Sequence, residues 1–71
     1  RRLTFKERKE MEQLEADIAS LEAEKKEVEE ALCGGVLDIS KLTEFSRRLP
    51  QLNDELDEKT MRWLELSEIE G

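Results

Sequence analysis

The residues of this sequence with the clearest chemistry are the positively charged side chains at its beginning. Residues 1–10 contain five bases and two acids, a net charge of +3, whereas residues 11–71 contain seven bases and seventeen acids, a net charge of -10. Clusters of Lys and Arg bind phosphates, and exposed aromatic rings stack on nucleic-acid bases. The candidate phosphate-binding residues are Arg1, Arg2, Lys6, Arg8, Lys9 and, from the far end of the chain, Arg62, with Phe5 as the candidate stacking residue.

No other chemistry is indicated by the residue types. The sequence has no histidine and a single cysteine, and its Gly-Gly pair is followed by Val-Leu-Asp rather than by the Lys and Ser or Thr of a phosphate-binding loop. Acids such as Glu27, Glu29 and Glu30 point in different directions on a helix, which is typical of solvated surface rather than of metal ligands. We therefore expect this chain to be non-catalytic, with no metal site and no cofactor of its own.

The compartment can be predicted from the cysteine and the hydropathy pattern. Cys33 has no second cysteine with which to form an internal disulfide, so a reducing cytoplasm is the simplest compartment. No apolar run approaches the length of about eighteen residues that suggests a membrane span. We expect a soluble, cytoplasmic protein without membrane contact, and a chain that begins without methionine reads as a segment of a larger protein.

Two helices are the elements that must position the basic residues. Charged residues make up 44% of the chain, which is a composition typical of disorder. However, apolar residues recur alternately every three and four positions on one helical face, which indicates a coiled coil. The sequence predicts an all-α, antiparallel two-helix coiled-coil hairpin as a single domain over residues 1–71. Its parts are a first helix at about 4–32, a glycine turn at 33–37 and a second helix at about 38–69.

The predicted ends of these helices carry recognisable capping residues. Thr4 and Glu7 have the spacing of a capping box, in which each side chain accepts a hydrogen bond from the backbone of the other residue. The Gly-Gly pair that follows Cys33 ends the first helix, because glycine tolerates a left-handed backbone. Asp38 or Ser40 can cap the second helix.

The register of the hairpin follows from the two apolar stripes. Leu32 would face Leu42 and Met11 would face Trp63, and the numbers of such facing residues add up to 73 or 74 along the whole length. Arg62 is thereby expected beside the basic segment, at the open end of the hairpin, while Trp63 falls in the core. The predicted structural seam consists of Met11, Leu14, Ile18, Leu21, Val28, Leu32, Leu42, Phe45, Leu49, Leu52, Leu56, Trp63 and Leu66.

Two lysines interrupt this seam. Lys59 replaces an apolar residue in the second stripe, and Lys25 lies opposite Leu49, just before Pro50. A proline inside a helix costs about 3 kcal/mol, leaves the carbonyl four residues earlier without its donor, and usually kinks the helix. We expect a kink near Pro50. Lys25 either donates to the freed carbonyl of Ser46 or extends out of the narrow seam into solvent.

The two ends of the sequence resemble a known family. Residues 3–10, LTFKERKE, followed by Leu14, resemble the opening of the C-terminal coiled-coil domain of Uup-like ABC-F ATPases. Arg62 and Trp63, with Leu66, resemble its closing signature. The resemblance implies a cytoplasmic bacterial protein with ATP-binding cassettes upstream, which would bind ATP and Mg²⁺ and act on nucleic-acid machinery, chiefly the ribosome. It also implies that this arm binds nucleic acid, with DNA as the usual ligand of the Uup-like branch.

Two functions therefore remain open at the level of sequence. The first is a weak, end-on, salt-dependent arm for DNA or for ribosomal or transfer RNA, with Arg47 and Arg48 near the bend as a smaller second patch. The second is a protein-interaction hairpin without nucleic-acid contact, which packs on the parent ATPase domains or dimerises. In either case we expect a monomer or a weak dimer. The apolar residues left over for such contacts are Leu37, Ile39, Leu64 and Ile69.

Overall fold

A computed structural model describes residues 1–35 and 38–70 of the chain, with the side chain of Glu70 excepted, and shows two long helices. Helix α1 spans Phe5–Cys33 and helix α2 spans Ile39–Glu70. They pack side by side in an antiparallel hairpin about 52 Å long and 17 by 15 Å across. The predicted all-α hairpin is confirmed. Neither helix, over the ranges just given, has an apolar stretch long enough to cross a lipid bilayer.

The helix ends use the caps that the sequence indicated. The Thr4 hydroxyl accepts a hydrogen bond from the Glu7 amide at 3.1 Å, and Glu7 Oε1 accepts one from the Thr4 amide at 2.9 Å, so the capping box is confirmed. At the start of α2, Asp38 Oδ1 accepts a hydrogen bond from the Lys41 amide at 2.8 Å. Asp38 is therefore the cap, and Ser40 lies inside the first turn of the helix.

The turn begins with the two glycines. The Gly34 amide donates to the Glu30 carbonyl at 2.9 Å, which closes the last turn of α1. Gly35 has a φ of 67°, in the left-handed region that favours glycine and that α1 cannot continue through. The remainder of the predicted turn, positions 36 and 37, lies outside the described residues.

Three parallel rows of side chains form the contact between α1 and α2. The central row, which we call the core row, has positions that repeat every seven residues and contains the most deeply buried side chains, Leu52 and Leu66 at 0% exposure and Val28 at 3%. The polar row on one flank contains Glu10, Asp17 and Glu24 opposite Arg62, Glu55 and Arg48. The apolar row on the other flank contains Met11, Ile18, Lys25 and Leu32 opposite Trp63, Leu56, Leu49 and Leu42.

The seam prediction needs two corrections, one at each end of the rod. Leu42 was predicted to be buried but is 44% exposed, because it lies in the first turn of α2, where no further helical turn covers it. Leu3 was not assigned to the seam but is buried. It precedes the Thr4 cap in an extended segment and packs with Leu14 and Leu66, which extends the core beyond the start of α1.

Pro50 and Lys25 do not interact in the way that one interpretation of the sequence required. Helix α2 continues without interruption past Pro50, and the kink stays a prediction. In the described part of the chain Lys25 donates no hydrogen bond to the Ser46 carbonyl, so that interpretation is wrong. Lys25 is half-buried and instead lines a shallow groove beside Leu56 and Thr60 on the apolar flank.

Candidate functional site

The first two turns of α1 present the candidate nucleic-acid-binding side chains to solvent. Because the Thr4 cap fixes the start of the helix, the next residues are held on a rigid element rather than on a loose terminus. Phe5 is 78% exposed, and Lys9 Nζ lies 5.6 Å from the centre of its ring, within the range of a cation–π interaction. Lys6 and Arg8 are exposed between them. An exposed aromatic ring and several exposed cations therefore lie on the same two turns of α1, with Lys9 next to the ring of Phe5.

Two of the candidate arginines are already bound to carboxylates. Arg1 donates from Nη1 and Nη2 to the two oxygens of Glu7, both at 3.0 Å. This contact, with the bond from the Thr4 amide, lowers the pKa of Glu7 to about 2. Arg62 donates from Nε and Nη2 to Glu10 at 2.7 and 3.0 Å, and the resulting hydrogen bonds lower the pKa of Glu10.

The remaining candidates differ in how free their charges are. Arg62 also donates to Glu65 at 3.0 Å, so its charge is balanced by two acids, although it does lie at the open end where the register places it. Lys9 approaches Glu12 at 3.7 Å, a long contact between two exposed groups. Within residues 1–35 and 38–70, Arg2, Lys6 and Arg8 form no ion pair. Of the candidates, these three cations are therefore the most available to bind a phosphate.

Trp63 is part of the core, in agreement with its place in the sequence pattern. It is half-buried and packs, with Met11 and Ile69, against the buried cluster of Leu3, Leu14 and Leu66. Its indole Nε1 donates to Glu15 Oε1 of the facing helix at 3.2 Å. Trp63 is thus held by packing and by a hydrogen bond, with only part of its side chain facing solvent.

The polar row is a feature that the sequence analysis did not identify. Glu24 binds Arg48 through two hydrogen bonds of 2.6 and 2.9 Å, which lower the pKa of Glu24, in the same way that Glu10 binds Arg62. Between these two pairs, Asp17 and Glu55 occupy facing positions of like charge. Lys59 contacts Asp17 at 3.4 Å and Arg48 contacts Glu55 at 3.6 Å, so both acids have a cation. The seven-residue spacing of Glu10, Asp17 and Glu24 was the available signal.

Only some members of the second basic patch near the bend and of the apolar residues outside the seam are exposed. Arg48 is bound to the polar row, which leaves Arg47 as the exposed member of the proposed second basic patch. Among the leftover apolar residues, Ile39 is 84% and Leu64 49% exposed, whereas Ile69 packs on the hairpin's own core. Leu37 lies outside the described residues.

Metal chemistry has no visible basis in the described part of the chain. It contains no group of three or more His, Cys, Asp or Glu side chains arranged to hold a metal ion. Cys33 is exposed as a free thiol at the end of α1.

Comparisons with known proteins give the family. No curated protein and no solved structure matched this sequence significantly. The family model described as the ABC transporter C-terminal domain matches residues 2–68, which is nearly the whole chain and includes both helices and the basic segment. The chain therefore belongs to the family of ABC transporter C-terminal domains.

Proposed function

We propose that this hairpin is the nucleic-acid-binding C-terminal arm of a bacterial, cytoplasmic, Uup-like ABC-F ATPase. The observation that carries the proposal is the surface formed by Arg2, Phe5, Lys6, Arg8 and Lys9, which we call the basic surface. Its side chains are exposed, and an uncovered aromatic ring lies among the cations. Phosphates bind to the cations while a base stacks on the ring, the combination used by proteins that hold single strands and distorted ends.

The distribution of charge determines how nucleic acid approaches. The rest of the rod, residues 11–71, carries a net charge of -10 and repels a polyanion laid along it. The ligand therefore contacts the open end of the rod only, through few phosphates. Binding by the isolated hairpin is weak, and the parent protein supplies the effective concentration that makes the contact useful.

The arm itself is non-catalytic in this proposal. ATP and Mg²⁺ bind to the cassettes of the parent ATPase, and the hairpin serves as a rigid extension that reaches DNA or ribosomal or transfer RNA. A rod about 52 Å long, held by a core and by cross-helix ion pairs, is suited to that role because it keeps the basic surface at a fixed distance from its bend.

The test is a binding titration of the 71-residue chain with labelled duplex DNA and structured RNA at about 50 mM and about 200 mM salt, a range over which phosphate contacts weaken strongly. The variant K6E/R8E should abolish measurable binding. The matched control K26E/K41E makes the same change in net charge on exposed residues away from the open end, and should reduce affinity far less. Equal loss in both variants would mean that net charge alone governs the interaction, and the basic surface would not be the site.

Arg62 provides a sharper comparison within the same experiment. Because Glu10 and Glu65 already balance its charge, Arg62→Gln should weaken binding less than Lys6→Gln does. A larger effect of Arg62→Gln would show that nucleic acid displaces the carboxylates, and would move the centre of the site from the basic surface to the seam.

A further inference from the structure

The two flanks of the hairpin are closed in different ways. The polar row is covered by ion pairs between the helices, whereas the apolar row on the opposite flank has no such cover among the described residues. Seven of the eight residues of the apolar row are half-buried and Leu42 is exposed. Six of these eight, all except Lys25 and Leu42, are half-buried apolar side chains, and such a stripe along both helices is typical of a face on which a third helix packs.

Two shallow grooves run over this apolar flank and join each other. The first, of about 330 Å³, is lined by Glu15, Ile18, Ala19, Glu22, Thr60 and Trp63. The second, of about 360 Å³, is lined by Glu22, Lys25, Lys26, Glu29, Leu56 and Thr60. Because Glu22 and Thr60 belong to both, the two form one continuous channel, which we call the groove face.

The side chains on the two rims of the groove face differ in charge and in size. On the α1 side, Glu15, Glu22 and Glu29 follow one another at intervals of seven residues. On the α2 side, the equivalent positions are small and uncharged, namely Ser46, Asn53, Thr60 and Ser67. Small residues let a helix backbone approach closely, and a row of carboxylates attracts cations along one edge of that helix. Lys25 and Lys26 lie three or four residues from Glu22 and from Glu29, a spacing at which opposite charges on a helix attract each other.

We propose that the groove face docks a basic amphipathic helix of a protein partner. The span from Glu15 to Glu29 corresponds to about 21 Å at 1.5 Å per residue, so the partner helix needs about fifteen residues. Its apolar residues recur every three or four positions and fill the channel over Ile18, Leu56 and Trp63. Its Lys or Arg residues follow the α1 rim. The net charge of -10 over residues 11–71 draws such a helix toward the rod and disfavours a second copy of this chain as the occupant.

This surface is separate from the basic surface and does not depend on the nucleic-acid proposal. The groove face involves none of the cations assigned to phosphate binding, so either proposal can fail while the other holds. The sequence alone suggested that a protein partner would bind the apolar residues outside the seam, such as Ile39 and Leu64. The groove face is a better basis for that role, because Ile69 of that set already packs on the hairpin's own core.

The test uses a designed helical peptide of about eighteen residues, with leucine at three- and four-residue intervals, flanking lysines and no tryptophan. Trp63 is the single tryptophan of the chain and lines the groove, so its fluorescence reports occupancy directly. We expect a saturable blue shift at one peptide per hairpin. A peptide with glutamate in place of lysine, and one with serine in place of leucine, should each bind at least tenfold more weakly.

Variants of the hairpin locate the binding face. E22K/E29K should weaken peptide binding at least tenfold, whereas the matched change E27K/E30K, on exposed acids that do not line the groove, should alter affinity less than threefold. Thr60→Arg fills the channel at an exposed position and should also prevent binding, with circular dichroism confirming that the helices are retained. Equal effects of the two double variants would overturn the proposal. So would a dimer of the hairpin alone that Thr60→Arg dissociates, because the occupant would then be a second copy.

Discussion

The open end of the hairpin and the end near the bend are stabilised to different degrees. At the open end, Leu3, Leu14 and Leu66 form a buried cluster, and Arg62 joins the two helices. Near the bend, among the described residues between 22 and 51, Val28 alone is buried, and Leu42 and Ile39 face solvent.

This difference follows from the connectivity of the chain. Residues near the bend are held close by a short turn, so their contacts require little loss of chain entropy. The open end has no such tether, and bringing residue 10 beside residue 62 closes a long loop that packing and ion pairs must stabilise. More side chains are buried at the end where the covalent constraint is weakest, and the candidate basic surface is built on that end.

The prediction with the largest expected effect compares a leucine-to-alanine substitution at each end of the hairpin. Leu66→Ala should lower the free energy of unfolding by about 3 kcal/mol, because Leu66 is fully buried and truncation of such a leucine costs about 2 to 5 kcal/mol. Leu42→Ala should cost less than about 1 kcal/mol, since much of that side chain already contacts water. Urea unfolding followed by circular dichroism measures both. Similar losses in the two variants would mean that the ends are equally packed.

Much of this fold was predictable from the sequence, because helix caps and apolar spacing are local signals. The Thr4 and Glu7 capping box, the Asp38 cap and the antiparallel arrangement all follow from short-range patterns. Burial at the two extremities was not predictable in the same way. Whether Leu3 packs or Leu42 stays exposed depends on where the partner helix ends, and that is a property of the assembled hairpin.

The candidate site was predictable in its location but not in its charge balance. The basic residues of the first ten positions are adjacent in sequence, so their clustering needed no folding. The pairing of Arg62 with Glu10 depends on the flank of the seam from which each side chain projects. The predicted register was accurate enough to place Arg62 near the basic segment. It did not reveal that the carboxylates of Glu10 and Glu65 would both bind Arg62.

The glycines of the turn provide the next comparison, at the bend. Gly35→Ala should destabilise the hairpin by about 1 kcal/mol, because a φ of 67° is costly for a residue with a side chain. A Cβ at Gly35 meets no atom within 4 Å, so the cost is conformational. Gly34→Ala should cost less, since Gly34 already has helical angles, although its added carbon would make a tight contact of 3.3 Å with the Glu30 carbonyl oxygen. The thermal midpoints of the two variants measure this difference. Equal midpoints would mean that Gly35 does not adopt a left-handed conformation in solution.

Ion pairs should contribute less than either of these effects. Arg62→Met and Arg48→Met each remove a cation from the polar row and should lower the thermal midpoint slightly, because partly exposed pairs are weak. Arg47→Met is the matched control on an exposed residue and should leave the midpoint unchanged. Raising the salt concentration to about 1 M should reduce these decreases in the thermal midpoint, because charges are then screened beyond about 3 Å. Losses that persist at high salt would indicate lost packing of the arginine stems instead.

The smallest expected effect is the order in which the two ends lose their ion pairs on acidification. Glu7 has a pKa of about 2, below its usual value of about 4.5, so its contribution to stability is complete above about pH 4.5 and is lost as the pH falls through about 2. Glu24 near the bend also has a lowered pKa, but only Arg48 binds it, whereas Glu7 is bound by both Arg1 and the Thr4 amide. Carboxyl NMR titration should therefore show Glu24 taking up its proton at a higher pH than Glu7.

The matched variants for that titration keep the local structure intact. Glutamine at position 7 preserves the capping box, so Glu7→Gln removes the charge without removing the cap. The thermal midpoint of Glu7→Gln should lie below that of the unmodified chain above about pH 4.5, and the two midpoints should converge near pH 2. Glu24→Gln should converge with the unmodified chain at a higher pH. If the order were reversed, the Arg1–Glu7 pair would not be the stronger of the two, and the stability of the open end would rest on the Leu3, Leu14 and Leu66 cluster and on the Arg62 pairs.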